Sequence, residues 1–105
     1  MAGRVDTLRA WVDESPDDAF SRYALAMELK KLSDRDGARR EFAELVTRNP
    51  GYCATYYHYG ALLVELEDPA EARRVLKLGV EAARLAGETH AGEELAEALA
   101  QLDAS

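Results

Sequence analysis

The stretch YYHYGALLVELEDPAEARRVL, Tyr56 to Leu76, restates an earlier one, RYALAMELKKLSDRDGARREF, Arg22 to Phe42, at a shift of 34 residues. Under that single shift Leu25 falls on Tyr59, Ala26 on Gly60, Leu29 on Leu63, Ala38 on Ala72 and Phe42 on Leu76. Pro16 falls on Pro50 in the same way. Large, small and large side chains returning at fixed places are the signature of stacked supersecondary units. Run backwards from Phe42, Leu45 and Val46, the shift reaches Leu8, Trp11 and Val12, so the N-terminal segment reads as the second half of a shortened repeat.

Each period reads as two helices. In FSRYALAMELKKL apolar residues recur at 25, 29 and 32 on one stripe and at 20, 23 and 27 on another, a helical spacing and not a strand alternation. The break that follows offers Ser33 or Asp34 as an N-cap. In the second copy Asp68 can cap, with Pro69 at the first helical position and Glu71 three residues after the cap, a capping-box arrangement. Asn49-Pro50-Gly51 ends the second helix of the first copy, and Gly87 is expected as the left-handed stop of the other. Arg84 stands where the period would have repeated proline, so that last helix is expected to run a turn longer. The closing segment THAGEELAEALAQLDAS sets Ala91, Leu95, Ala98, Leu99 and Leu102 against Glu93, Glu94 and Glu97, which suits a capping helix over the open end of a stack.

This pattern resembles the tetratricopeptide repeat, W-x2-L-G-x2-Y, then A-x3-F, then P. Arg22-x2-Leu25-Ala26-x2-Leu29, Ala38-x3-Phe42 and Pro50 meet it in the first copy, with Arg22 at the tryptophan position. Tyr56-x2-Tyr59-Gly60-x2-Leu63 and Ala72-x3-Leu76 meet it in the second. The expectation is an all-α, right-handed α-solenoid of helix-turn-helix repeats with five to six antiparallel helices. Residues 1–105 form one domain on this reading: a half repeat at 4–16, repeats at 17–50 and 51–84, and a capping helix at 85–105. Small residues at Ala26, Gly60, Ala38 and Ala72 let paired helices approach, while Leu25, Tyr59, Phe42 and Leu76 fill the space around them.

Four of the five tyrosines, the one cysteine and one of two histidines fall within Tyr52 to Tyr59. Tyr56, Tyr59, Gly60 and Leu63 follow i, i+3, i+4, i+7 and form the interior face. Tyr57, Ala61 and Val64 lie about 100° round. The resemblance implies that such first-helix positions line a concave groove, together with Phe20, Tyr23, Met27, Lys30 and Lys31 of the first repeat. Rings beside an adaptable methionine suit a peptide-gripping surface. The plainer alternative is that Phe20, Tyr23 and Met27 only pack on a neighbouring helix. Many members of the family clamp a terminal carboxylate with Lys, Asn and Arg. Tyr23 and Met27 occupy positions where that clamp needs polar groups, so it is not carried over, and Lys30 and Lys31 remain as anchors for acidic partner residues.

Cys53 and His58 sit about 140° apart on a helix and cannot jointly hold a metal, and a thiol–imidazole pair would require His90 to reach Cys53. No phosphate loop, nucleophile elbow or HExxH motif occurs, so no catalytic residue, cofactor or metal is expected. Arg39-Arg40 and Arg73-Arg74 also recur and read as a salt-bridged outer face beside Glu41, Glu44 and Glu71.

The net charge of −7 opposes nucleic acid and anionic membranes as partners. Residues 85–105 hold five acidic groups and no Lys or Arg. A single cysteine gives no internal disulfide, and no stretch approaches a membrane span, so a cytoplasmic protein is expected. The function expected is binding of a protein or peptide segment in the groove, by a monomer. A homodimer through the terminal helices is the alternative, because Leu8, Trp11 and Val12 lie open unless the first full repeat covers them.

Overall fold

A computed structural model describes residues 3–105. Six helices follow one another: α1 (Arg4–Glu14), α2 (Ala19–Lys31), α3 (Arg35–Arg48), α4 (Ala54–Glu65), α5 (Pro69–Ala86) and α6 (Thr89–Ala104), with no strand among the described residues. The class is the one expected, an all-α helical-repeat fold. The helices group into two compact units, α1 to α3 ending at Asn49, and α4 to α6 beginning at Pro50.

In the first unit α2 packs against both α1 and α3. Its buried side chains are Leu8 and Val12 from α1, Leu25, Ala26 and Leu29 from α2, and Ala38, Phe42 and Leu45 from α3. Leu8 and Val12 are therefore covered, and of the three residues Leu8, Trp11 and Val12 only Trp11 stands exposed. Asp18 caps α2 by accepting from the Ser21 N–H (3.3 Å), and Asp34 caps α3 by accepting from the Gly37 N–H (3.0 Å). Of the two candidates for that second cap, Asp34 is the one used.

In the second unit α5 packs against α4 and α6, and α4 touches α6 more lightly. The four repeat positions Tyr59, Leu63, Ala72 and Leu76 are all buried, as is Gly60. A Cβ on Gly60 would lie 2.6 Å from Leu76 Cδ2, so the absence of a side chain there sets how closely α4 and α5 approach. The α5 helix runs on to Ala86 and stops at Gly87, whose φ of 70° is the left-handed conformation expected of it. Asp68 caps α5 through the Glu71 N–H (3.3 Å). The reciprocal half of a capping box is not made: the Asp68 N–H donates to Leu63 O (2.9 Å), and the Glu71 carboxylate turns to Arg74.

The two non-glycine residues with positive φ are Ser33 (64°) and Glu67 (60°), which are equivalent under the repeat shift. Both sit between the helices of a repeat. Asp34 N–H donates to Leu29 O and Ser33 N–H to Lys30 O, while Asp68 N–H donates to Leu63 O and Glu67 N–H to Val64 O. Each is a Schellman closure whose final residue at once becomes the next helix's N-cap. A side chain in this conformation costs about 1–2 kcal/mol, part of which glycine returns as unfolded-chain entropy. Ser33→Gly and Glu67→Gly are each expected to stabilise the chain by about 0.5–1 kcal/mol in urea denaturation. A loss of stability in both would show that the side chains contribute more than the strain they impose.

Candidate functional site

The tyrosine cluster divides along the faces of α4. Tyr56 and Tyr59 are buried, and the Tyr56 hydroxyl donates to Pro50 O, tying the loop before α4 to the helix. Tyr57 and Val64 remain 44% and 48% exposed and Ala61 is partly exposed, on the face expected from their spacing. Opposite them runs α6. Leu95 is its anchor, fully buried, and Ala91, Ala98, Leu99 and Leu102 are half-buried, while Glu93, Glu94 and Glu97 are exposed.

Between α4 and α6 a furrow stays open. One end is a cleft of about 330 Å³ with Tyr57, Ala61, Val64, Leu76, Ala98 and Leu102 in its walls. The other end, about 360 Å³, is formed by Cys53, Ala54, His58, Glu88, Glu94 and Leu95, among others. Tyr57 borders both, so its ring stands midway along the furrow. The contribution of α6 was not read from the sequence, where this helix served only as a lid. Its alternation of alanine with glutamate was the available signal: alanine walls leave space where leucine would fill it.

The first-unit residues lie on α2. Phe20 is 62% exposed, Tyr23, Met27 and Lys30 are half-buried, and Lys31 is exposed. Phe20 is thus not consumed by packing against another helix. Lys30 and Lys31 occupy the last turn of α2, where they also complement the helix dipole.

The chemistry weighed for the cluster finds other partners. The buried Cys53 thiol donates to Gly51 O (3.5 Å) and lies beside Glu88. Burial and then that carboxylate push its pKa up, the opposite of an activated thiolate. His90 projects into solvent, its side chain 88% exposed, and meets Glu94 (3.2 Å). His58 packs edge-on against Tyr57, with ring centroids 5.6 Å apart. Among the described residues no three His, Cys, Asp or Glu side chains are grouped to hold a metal ion, and no helix is long and apolar enough to cross a membrane. Of the repeated arginines, Arg73 meets Asp103 (2.6 Å) and Arg74 meets Glu71. Two of the carboxylates expected beside Arg39 and Arg40 are engaged elsewhere: Glu41 by Arg22 and Glu44 by Arg48.

Tyr56 also holds its proton more tightly than a free phenol, through burial first and the neighbouring Cys53 second. Both acids therefore favour the folded state while protonated. That advantage is intact below the unfolded values, roughly pH 8.5 for a thiol and pH 10 for a phenol, and is lost as pH rises through the folded ones. Urea midpoints are expected to fall between about pH 7 and about pH 10, and to fall less in Cys53→Ala. An equal fall in both proteins would remove Cys53 from the effect.

Taken together, paired antiparallel helices with small residues at their contacts and exposed aromatic residues on first-helix faces define a helical-repeat protein. No protein-family model and no curated protein matches the sequence. Among solved structures, the chain is similar to a tetratricopeptide repeat domain protein from Salinibacter ruber, with 37% identity, a TM-score of 0.81, and coverage of 86% of this chain and 91% of that one. The chain belongs to the tetratricopeptide repeat family. The TPR2B domain of yeast Sti1, solved as a complex with pHsp70, shares the fold at 15% identity and a TM-score of 0.86, over 94% of this chain and 79% of that one. The type III secretion translocator chaperone SycD of Yersinia enterocolitica does so at 15% identity and 0.84, over 94% and 69%.

Proposed function

We propose that this chain is a protein-interaction module that holds a peptide segment of a partner protein on its first-helix faces. The observation that carries the reading is the open furrow in the second unit. Tyr57 and Val64 stay about half exposed there although their neighbours Tyr56, Tyr59 and Leu63 are buried. A half-exposed aromatic beside a small-residue wall is the kind of place where a partner's side chain gains most from burial. Ala61 completes the α4 contribution, and Phe20, Tyr23, Met27, Lys30 and Lys31 offer a second contact face on α2 in the first unit. The TPR2B domain of Sti1, solved as a complex with pHsp70, and the translocator chaperone SycD share the fold and support an interaction role.

The side chains weighed for chemistry are otherwise placed among the described residues: burial holds the Cys53 thiol protonated, His90 meets Glu94 and His58 packs on Tyr57. The protein acts as an adaptor, without catalysis, and a monomer suffices for it. Aromatic residues carry interface energy and lysines tune its rim, so the two kinds of substitution should separate. Tyr57→Ala is expected to weaken binding of a captured partner by about 1–2 kcal/mol, mainly through faster dissociation. Lys30→Glu with Lys31→Glu should slow association instead. Amide shift mapping with that partner is the check. Perturbations confined to the surface around Arg39, Arg40, Arg73 and Arg74, with none at Tyr23 or Tyr57, would sink the reading.

A further inference from the structure

We propose that the α4/α6 furrow of the second unit selects a partner segment whose apolar anchor is flanked by lysine or arginine. The proposal deepens the interaction-module reading and rests on it. The floor sets the first requirement. Ala61, Val64, Leu76, Leu102 and the Tyr57 ring line the cleft with hydrocarbon, so the part of a partner that settles there must be apolar.

The walls set the second. Glu88 and Glu94 border the end nearest Cys53, and Glu94 and Glu97 border a shallower recess beside Tyr57. No lysine or arginine lines any of the three cavities along the furrow. The second unit's arginines all lie on α5 and are engaged: Arg73 with Asp103, Arg74 with Glu71 and Arg84 with Glu81. Lys77 stands exposed on α5 and borders none of these cavities. Of the basic side chains near the furrow, His90 meets Glu94 (3.2 Å) and His58 shares the cavity that Glu88 and Glu94 border.

Carboxylates of one sign along an apolar trough focus their field into it, because the trough floor cannot screen them as water would. An acidic segment is repelled on approach, and a segment carrying Lys or Arg beside its anchor is drawn in. Glutamates that merely solubilised α6 would be matched by bases along the same helix, as on α5. Residues 85–105 contain no Lys or Arg, and His90 is the single basic side chain among them.

The test is selection of random peptides displayed on phage against the full chain, followed by affinity and rate measurements on the enriched peptides. The expected pool carries Lys or Arg beside an apolar anchor. Its affinity should fall about tenfold in Tyr57→Ala. It should fall about tenfold in the paired variant Glu94→Lys with Glu97→Lys, there through slower association and a flatter salt dependence. Both glutamates are exposed, so circular dichroism should stay that of the wild type, and Glu94→Gln with Glu97→Gln provides a milder second variant with the same direction of effect. Enrichment of neutral or acidic peptides that still weaken in Tyr57→Ala would overturn the charge selection and leave the interaction module standing. Peptides indifferent to both Tyr57→Ala and Val64→Asp, or no enrichment at all, would overturn both.

Discussion

Glu41→Ala is expected to destabilise the chain by about 2–3 kcal/mol, far more than deletion of an ordinary surface carboxylate. Its partner Arg22 occupies the tryptophan position of the repeat and lies almost wholly inside the first unit. The two side chains are 10% and 18% exposed and meet at 2.8 Å. Arg22 makes its other hydrogen bond to Pro16 O (3.2 Å), and its Nε is buried without a partner. Removing Glu41 therefore leaves a guanidinium that has lost its counter-charge and regained little water. The pair as a whole is a different matter, because the cost of desolvating both ions consumes most of their attraction. Arg22→Trp combined with Glu41→Leu, which restores the family's aromatic and removes the carboxylate, is expected to lie near wild type or above it. A double-mutant cycle in urea would read the coupling. If Glu41→Ala costs less than about 0.5 kcal/mol, the pair behaves as a surface contact and the burial argument fails.

The second large effect concerns the glycines of the α4–α5 contact. Gly60→Leu is expected to cost about 1–3 kcal/mol despite the better helix propensity of leucine, since Leu76 already fills the space. Gly79→Leu should cost at least as much. A Cβ at Gly79 would come 2.5 Å from Tyr56 Cβ, the fixed root of a buried ring, and 3.1 Å from Leu95 Cδ1 on α6. The alanine variants separate the two sites. At Gly60 the obstacle is the Leu76 side chain beyond its Cβ, Cδ2 at 2.6 Å and Cγ at 2.9 Å, which a change of rotamer can shift, and the roughly 1 kcal/mol propensity gain of alanine offsets part of the crowding. At Gly79 the helix itself must move. Thermal melts should show Gly60→Ala near wild type and Gly79→Ala clearly below it. A Gly60→Leu protein melting at or above wild type would refute the repeat register.

These two sites also mark where the sequence could be read and where it could not. The contact of Gly60 with Leu76 was legible because close helix approach demands a small residue at one fixed place, and Ala26 and Phe42 hold the same places one repeat earlier. Gly79 was not, because the same shift carries it onto Leu45 and breaks the repetition. The need for a hole there arises where α4 sets the root of Tyr56 against α5 and α6 adds Leu95. Arg22 was legible as a departure from the family pattern, but its partner was not, since Glu41 lies on the following helix and no short spacing links them. The left-handed turns at Ser33 and Glu67 carried no glycine to announce them. The faces of α4 followed directly from helical spacing. That the space beside Tyr57 is open depended on the alanines of α6, which a pattern of buried and exposed positions does not distinguish from filled contacts.

The way the aromatic residues divide between the two units has a practical side. Trp11, the chain's one tryptophan, stands exposed on α1, whereas Tyr52, Tyr56, Tyr57 and Tyr59 all belong to the second unit. Indole emission excited at the red edge therefore reports α1 and its surroundings alone, while ultraviolet difference absorption of the phenols is weighted towards α4. Unfolding, or the arrival of a peptide, can be followed in each half of the chain without attaching a label, and Tyr57 supplies a built-in optical reporter at the furrow itself.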